Sequence, residues 1–267
     1  MINHQLLELR TKLDHIDSTV VDLLSDRVDI VKRVAEIKGH RELYIMPGRE
    51  VTMMFPLLES ARKKLDGELI WRIWREIISY FTLMEGPLSG AVETTMWDLA
   101  RDYYGIRTPL QEVPDSLTAI EAVVQGKHKL AILPMPEESA DEPWWLKIID
   151  DQKRKIFAHV PRIPGSNAKG PMLGGVVVAD LSPDRTGNDI TYIGVKMFSE
   201  NCQANVIEAL GAENIVRFSP TRTTEEHGAV ALVRLNTFLS QHDIGNKKMD
   251  PRIASLHWLG GYGTLPI

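Results

Sequence analysis

The sequence predicts a multidomain fold in which an all-α unit of three helices precedes an α/β region that ends in a ferredoxin-like unit. Three observations support this prediction. The chain up to Gly86-Pro87 carries helical apolar periodicity, and the chain beyond it alternates short apolar runs with short helical stretches. The last part follows the order strand–helix–strand–strand–helix–strand, which is typical of ferredoxin-like units. We place the domain boundaries at 1–87, 88–187 and 188–267.

The first helix is predicted from Asn3 to Lys38, because no Gly or Pro interrupts this stretch and Gly39 follows as a stop. Such a helix spans about 54 Å, which is about twice the diameter expected for a unit that ends near Gly86. The chain cannot cover an apolar stripe of that length by itself, so we predict an intertwined homodimer. The stripe steps by three and four residues through Leu6, Leu9, Leu13, Ile16, Val20, Leu23, Arg27, Ile30, Val34 and Ile37.

Two cations on this helix indicate a bound anion. Arg27 occupies a position of the apolar stripe, where a guanidinium without an anionic partner is strongly unfavourable. Lys38 lies about 20° further around the helix and about 16 Å along its axis. We therefore predict a pocket for a small molecule that carries two negative charges.

Two further helices complete the predicted N-terminal unit. The second runs from about Gly48 to Lys64, and Pro56 should kink or split it. The third is predicted to follow Asp66 as its N-cap. We expect Trp71 and Trp74 to pack in the core or in an interface. The predicted apolar face of the third helix consists of Leu69, Ile70, Ile73, Ile77, Phe81 and Met84.

Shorter elements are predicted beyond Pro87, and Gly and Pro residues separate them. Helices are expected at 95–104 and 116–125, and buried strands at 130–133, 155–160 and 173–178. The ferredoxin-like unit should contain strands at 190–198, 214–218, 229–235 and near 254–259. Its helices are expected at 200–210 and between the last two strands.

Composition restricts the possible partners and compartments. The formal net charge of −5 and the pI of about 5.9 argue against nucleic acid or an anionic membrane as the main partner. The single Cys202 excludes an internal disulfide and fits a reducing compartment, and no apolar run approaches the length of a membrane span. The histidines are scattered, and the run 260–263 lacks the following helix of a dinucleotide loop. We predict a cytoplasmic protein with no metal and no cofactor.

Three separated stretches together resemble the all-helical chorismate mutases, in particular the version fused ahead of prephenate dehydratase. They are LLELRTKLDHIDSTVVDLLSDRVDIVKRVAEIK, PGRE and IWREIISYFTLMEGPL, and the resemblance covers residues 1–87. It implies a cationic pocket in an intertwined dimer, which converts chorismate to prephenate without a cofactor. By this resemblance Arg27, Lys38 and Arg49 line one pocket, and Arg10 reaches into it from the other subunit.

The resemblance also implies roles for four more residues. Glu50 would bind the substrate hydroxyl, and Glu85 falls where the family has a Gln or Glu that donates to the ether oxygen. Met46 and Phe81 are expected to contact the substrate, although both depart from the family pattern. Met46 stands where some relatives have Asp, and Phe81 where others have a small residue against a carboxylate.

The rest of the chain resembles prephenate dehydratase in a reduced form. LAILPMPEES resembles a strand and loop that end in Pro-(x)-Glu-Asn-Ser, with Glu138 at the Asn position. The Thr-Arg-Phe stretch of that family is missing, because Thr221-Arg222 is followed by Thr223. DPRIASLHWLGGYG resembles the end of an ACT regulatory domain, whose ligand motif has at best become Phe218-Ser219-Pro220-Thr221. This implies a truncated dehydratase-like region at 88–187 and an ACT-like domain at 188–267.

The sequence therefore favours a chorismate mutase with a non-catalytic C-terminal region, whose partners are chorismate or prephenate and a second copy of the chain. Three alternatives stay open. A bifunctional mutase–dehydratase would need the missing Thr-Arg-Phe stretch. An amino-acid sensor without mutase activity is supported by Met46 and Phe81. An isochorismate-pyruvate lyase would use a similar cationic helical pocket.

Overall fold

The computed structural model describes residues 2–39, 43–61, 64–137, 143–163, 167–199, 203–211, 215–218, 222–224, 228–247 and 250–265. Three features of the sequence analysis lie outside these ranges. They are Glu138 of the dehydratase-like loop, Cys202, and residues 219–221 of the ACT-like motif.

Three helices form the N-terminal unit as predicted: α1 (Ile2–Lys38), α2 (Pro47–Ala61) and α3 (Gly67–Glu85). Gly39 ends α1 with a φ of 65°, a conformation that glycine adopts without strain. The Asp66 side chain accepts a hydrogen bond from the backbone N–H of Glu68 and caps α3. Helix α2 continues through Pro56, so the predicted split is wrong, while the alternative of a kink at Pro56 stays a prediction. Buried residues on both sides of Pro56, Met54 and Leu58, hold the two halves of α2 against one core.

The apolar stripe of α1 is left uncovered by a single copy of the described chain. Every described side chain from His4 to Leu23 is exposed, and Leu13 and Ile16 keep 58% and 56% of their accessible surface. Among the described elements, α1 packs mainly on α3. Its N-terminal half therefore projects away from the rest of the chain.

The apolar face predicted for α3 is only partly correct. Ile70 and Phe81 are buried, but Leu69 is 47% exposed, and Ile73 and Met84 are also exposed. The helix is apolar around most of its circumference, and its contacts with α1, α2 and α4 select a different face. The buried residues of that face are Ile70, Trp71, Arg75, Ile78, Ser79 and Phe81.

The α/β region contains ten described strands in one mixed sheet. The strands are β1 (Gly90–Glu93), β2 (Leu110–Val113), β3 (Leu130–Pro134), β4 (Lys155–Val160), β5 (Gly175–Ala179), β6 (Asp189–Met197), β7 (Ile215–Phe218), β8 (Arg222–Thr224), β9 (Gly228–Leu235) and β10 (Ile253–Gly263). The helices are α4 (Trp97–Tyr104), α5 (Ser116–Val124), α6 (Gln203–Leu210) and α7 (Gln241–Gly245). The strand order is β2-β1-β3-β5-β4-β10-β6-β9-β7, and β8 pairs with β9.

The predicted ferredoxin-like arrangement is present in the last part of the chain. The elements β6, α6, β7, β9, α7 and β10 follow its order, and the strands lie side by side as β10-β6-β9-β7 with every pair antiparallel. The sheet does not end there, because β10 also pairs in parallel with β4. The domain boundary at 187 and the ACT-like nature of this unit stay predictions.

The helical unit packs directly on the sheet and its helices. One core cluster joins Met54 and Trp71 of the helical unit to Leu99 and Tyr103 of α4 and to Phe157 of β4. This shared core holds α2 against the sheet and α3 against α2 and α4. In the described part of the chain, no helix is long and apolar enough to cross a bilayer.

Candidate active site

Lys38 and Glu85 meet where α1 and α3 end. The Lys38 Nζ donates a hydrogen bond to Glu85 Oε2 over 2.5 Å. The two side chains are 17% and 13% exposed, so water screens the ion pair only weakly. Two of the predicted site residues are thus in contact. In this arrangement the Glu85 carboxylate is the hydrogen-bond acceptor.

Arg27 lies over the ring of Phe81. Its guanidinium carbon is 5.1 Å from the ring centroid, a cation–π distance, and Phe81 is buried. Arg27 is half-buried, and its Nε is buried without a hydrogen-bond partner among the described residues. Burial lowers the pKa of Arg27 from its ordinary value, because desolvation disfavours the charged guanidinium. An anion that accepted a hydrogen bond from this Nε would remove that cost.

The two contacts belong to one surface between α1 and α3. Phe81 and Glu85 are one helical turn apart on α3, a spacing that places side chains on the same face. Arg27 and Lys38 therefore contact neighbouring positions of that face. The structure thus places the pairs Arg27–Phe81 and Lys38–Glu85 one helical turn apart on α3, and we call these four residues the cationic cluster.

Glu50 has a partner that the sequence analysis missed. The Arg75 Nη1 donates to Glu50 Oε2 over 2.6 Å, and the two side chains are 3% and 12% exposed. Arg75 lies on the buried face of α3, whereas Glu50 lies in the first turn of α2. The sequence did contain a signal for this ion pair, because an arginine on an apolar helix needs an anion if it is buried. The predicted apolar face omitted this position.

Tyr103 fixes the other side of Arg75. The Arg75 Nε donates to the Tyr103 carbonyl oxygen over 2.7 Å, and its guanidinium carbon lies 3.7 Å from the centroid of the Tyr103 ring. Burial acts to lower the pKa of Arg75, but Tyr103 and the Glu50 carboxylate outweigh it and raise this pKa. Arg75 therefore stays charged and holds Glu50 in place.

The other three predicted site residues stand apart from these contacts. Arg49 and Met46 are exposed at the start of α2, beside Glu50. Arg10 is exposed on the projecting half of α1, about 25 Å along the helix axis from Arg27. Within one chain, Arg10 does not reach the cluster around Arg27. Among the described residues, His, Cys, Asp and Glu side chains form no group that could hold a metal ion.

Some solved structures resemble the chain at low sequence identity. A prephenate dehydratase from Arthrobacter aurescens, in complex with L-Phe, is 13% identical, and the match covers 66% of this chain and 90% of that chain with a TM-score of 0.47. A prephenate dehydratase from Streptococcus mutans is 11% identical, over 67% and 99% of the two chains, with a TM-score of 0.44. TM-scores below 0.5 do not establish a shared fold.

Curated relatives match less than half of the chain. The bifunctional chorismate mutase/prephenate dehydratase of Stutzerimonas stutzeri is 31% identical over 90 residues, 32% of this chain and 25% of the relative. The enzymes of the same description from Pseudomonas aeruginosa and Aquifex aeolicus are 27% identical over 144 residues and 30% identical over 129 residues. These matches cover 49% and 44% of this chain. The chain spans 39% and 36% of those two relatives.

A family model assigns the helical unit more specifically. The model described as chorismate mutase type II matches residues 9–86, which include most of α1 and all of α2 and α3. The matched segment also contains every predicted site residue. The helical unit is therefore similar to the chorismate mutase type II family over residues 9–86.

Proposed function

We propose that the chain is a chorismate mutase, an isomerase that converts chorismate to prephenate in aromatic amino acid biosynthesis. One observation carries this proposal. Arg27 and Lys38 share one part-buried surface with Glu85, and this surface lies inside the segment that matches the mutase family. The names of the curated relatives support the same reaction.

The reaction suits a site of this chemistry. Chorismate carries two carboxylates, and in its rearrangement one C–O bond breaks while one C–C bond forms within the same molecule. No proton has to be transferred, so a rate gain comes from holding a compact conformer and stabilising charge in the transition state. Preorganised cations around the breaking C–O bond supply that stabilisation, at a few kcal/mol per hydrogen-bond donor.

Each residue of the cluster has a role in this proposal. The unpartnered Nε of Arg27 donates to a substrate carboxylate, with the geometry that arginine offers to carboxylates. Lys38 donates to the ether oxygen, and Glu85 positions the Lys38 ammonium through their hydrogen bond. Arg49 binds the second carboxylate, and Glu50, held by Arg75, binds the substrate hydroxyl. Met46 and Phe81 contact the substrate at the edge of the pocket.

A homodimer completes the site in this proposal. The uncovered stripe of α1 would be buried against a second copy, and Arg10 would enter the partner's pocket. The long separation of Arg10 from Arg27 on a single helix supports this arrangement, because one small ligand cannot reach both. The C-terminal region, with its ACT-like part at 188–267, is proposed to be non-catalytic, and the enzyme to be cytoplasmic.

The direct test is the identification of the product. Purified full-length protein is incubated with chorismate, and prephenate, phenylpyruvate, salicylate and pyruvate are separated by chromatography. We expect prephenate to accumulate at the rate at which chorismate disappears. Phenylpyruvate formed by the enzyme would instead indicate a mutase–dehydratase, and salicylate with pyruvate would indicate a lyase. No turnover between pH 5 and pH 8 would reject the proposal.

A sensor without mutase activity is the second candidate, and two contacts favour it. The face of Arg27 is covered by the Phe81 ring, and the Glu50 carboxylate is already bound by Arg75. Both contacts would have to leave room for chorismate. Tight chorismate binding without turnover, measured by isothermal titration, would favour this candidate over the enzyme.

A further inference from the structure

A second pocket lies between the helical unit and the sheet. Its volume is about 370 Å³, within the range that small-molecule sites occupy. Val51 of α2, Trp71 of α3 and Tyr103 of α4 form one side of it. The opposite side is formed by residues at the carboxyl ends of β4, β9 and β10, three strands that run in the same direction. Open α/β sheets bind ligands at this end of their strands.

The charges that line this pocket are positive. Arg162 and Arg234 line it, and none of the other described lining residues is acidic. Arg234 Nη1 lies 3.2 Å from Oε1 of the buried Glu137, and its Nε is buried without a hydrogen-bond partner in the described chain. Arg162 donates to the Gly170 carbonyl oxygen over 2.8 Å. Two guanidinium groups against one carboxylate leave a net positive charge, which favours an anion.

Aromatic side chains also line this pocket. The rings of Trp71 and Tyr103 are 6.1 Å apart between centroids and tilted by 52°. On the opposite wall, His159 stacks on Tyr262 with centroids 4.8 Å apart. Burial lowers the pKa of His159 to about 4, so its ring is neutral near pH 7. Aromatic walls of this kind favour a flat apolar group between them.

Two residues that line the pocket also contact Arg75, the arginine that binds Glu50 of the candidate mutase site. Tyr103 and Trp71 both contact Arg75, whose guanidinium carbon is 3.7 Å and 5.8 Å from their ring centroids. Arg75 in turn binds Glu50, and the next residue on α2, Val51, lines the pocket. A contact path therefore runs from the rings that line the pocket through Arg75 to Glu50.

We propose that this pocket binds a small aromatic carboxylate, and that its occupancy changes the position of Glu50. The carboxylate would contact Arg162 and the unpartnered Nε of Arg234, and the ring would lie against Trp71 and Tyr103. The binding stands independently of the enzymatic activity. The effect on Glu50 rests on the proposed mutase function.

Binding is tested with two probes of nearly equal shape. Phenylacetate and phenylacetamide share the ring and differ in charge, and each is titrated into the full-length protein by calorimetry. We expect phenylacetate to bind in the millimolar range or tighter, at least about tenfold more tightly than phenylacetamide. Equal affinities for the two probes, or no phenylacetate binding at about 10 mM, would overturn the proposal.

Variants locate the probe. Arg162→Gln should weaken phenylacetate binding by about tenfold or more, whereas the matched variant of an exposed arginine of β7, Arg217→Gln, should leave it unchanged. Leu265→Trp, which fills the pocket from the sheet side, should abolish binding of both probes. Unchanged binding in both Arg162→Gln and Leu265→Trp would show that the probe lies elsewhere and would refute the site.

A third variant separates this pocket from the mutase site. Arg27→Ala should retain phenylacetate binding even though it loses chorismate turnover. Loss of phenylacetate binding in Arg27→Ala would place the probe in the mutase site and overturn the proposal. If the wild-type protein turns over chorismate, phenylacetate should change the KM or kcat of the wild type but not of Leu265→Trp. Inhibition of the two proteins to the same degree would contradict the effect on Glu50.

Discussion

Arg10→Ala and Arg27→Ala should each abolish chorismate turnover, yet a refolded mixture of the two should recover part of the wild-type activity. The two residues lie on one uninterrupted helix, Ile2–Lys38, at positions about 25 Å apart along its axis. A ligand of the size of chorismate cannot contact both in one subunit. If both act on it, Arg10 must come from the partner subunit.

The expected recovery follows from counting intact pockets. Random pairing of equal amounts of the two variants gives heterodimers as about half of all dimers. In a heterodimer one pocket contains both wild-type arginines, and the other pocket lacks both. About a quarter of all pockets in the mixture are therefore intact, so about a quarter of the wild-type rate is expected.

The assay follows chorismate disappearance after the variants are mixed in denaturant and refolded, with heterodimers counted by affinity tags of different size. Lys12→Ala serves as the matched control, because Lys12 lies on the same helix about 160° away from Arg10. It should be active alone. Recovery well below a quarter despite proven heterodimers would refute the shared pocket.

Three further predictions concern the contacts around the two sites. Glu85→Gln keeps an oxygen that accepts a hydrogen bond from Lys38 and should retain most of the kcat, whereas Glu85→Ala should have a kcat about a hundredfold lower. Equal kcat values for the two variants would show that Glu85 is not part of the site. Arg75→Met leaves the Glu50 carboxylate part-buried without its cation and should lower the free energy of unfolding, measured in urea, by about 3–5 kcal/mol. The double variant Arg75→Met/Glu50→Gln should recover part of this loss. A loss below about 1 kcal/mol in Arg75→Met would contradict the buried ion pair. Burial lowers the pKa of His159 from 6.5 to about 4, so the unfolded chain binds a proton first as the pH falls, and the free energy of unfolding should decrease between pH 6.5 and pH 4 by up to about 3 kcal/mol. His159→Gln should remove that part of the decrease, and an unchanged pH profile in this variant would show that His159 is not the group responsible.

Elements with a strong local signal could be predicted from the sequence. The stretch from Asn3 to Lys38 contains no helix breaker, and the structure has one helix there. The strand predicted at 155–160 coincides with β4, because an apolar run bounded by polar residues is typical of a buried strand. The order of elements predicted for the ferredoxin-like unit is also the order in the structure.

Features that depend on distant parts of the chain could not be predicted in this way. The strands β1 and β2 have four residues each and pair in parallel with each other, and β1 also pairs with β3. The partners of Arg75 lie 25 and 28 residues away in sequence, at Glu50 and Tyr103. The second pocket is lined by residues from three helices and from several strand ends, which only the folded sheet brings together.

The most direct test of the proposed mutase is the value of kcat/KM for chorismate in the wild type and in Lys38→Met. This substitution keeps an unbranched side chain one atom shorter and removes the ammonium that contacts Glu85. The exposed Lys32 on the same helix provides the control variant Lys32→Met. We predict measurable prephenate formation by the wild type and the control, and a kcat/KM at least about a hundredfold lower in Lys38→Met. Equal values in all three proteins, or no prephenate from the wild type, would contradict the account.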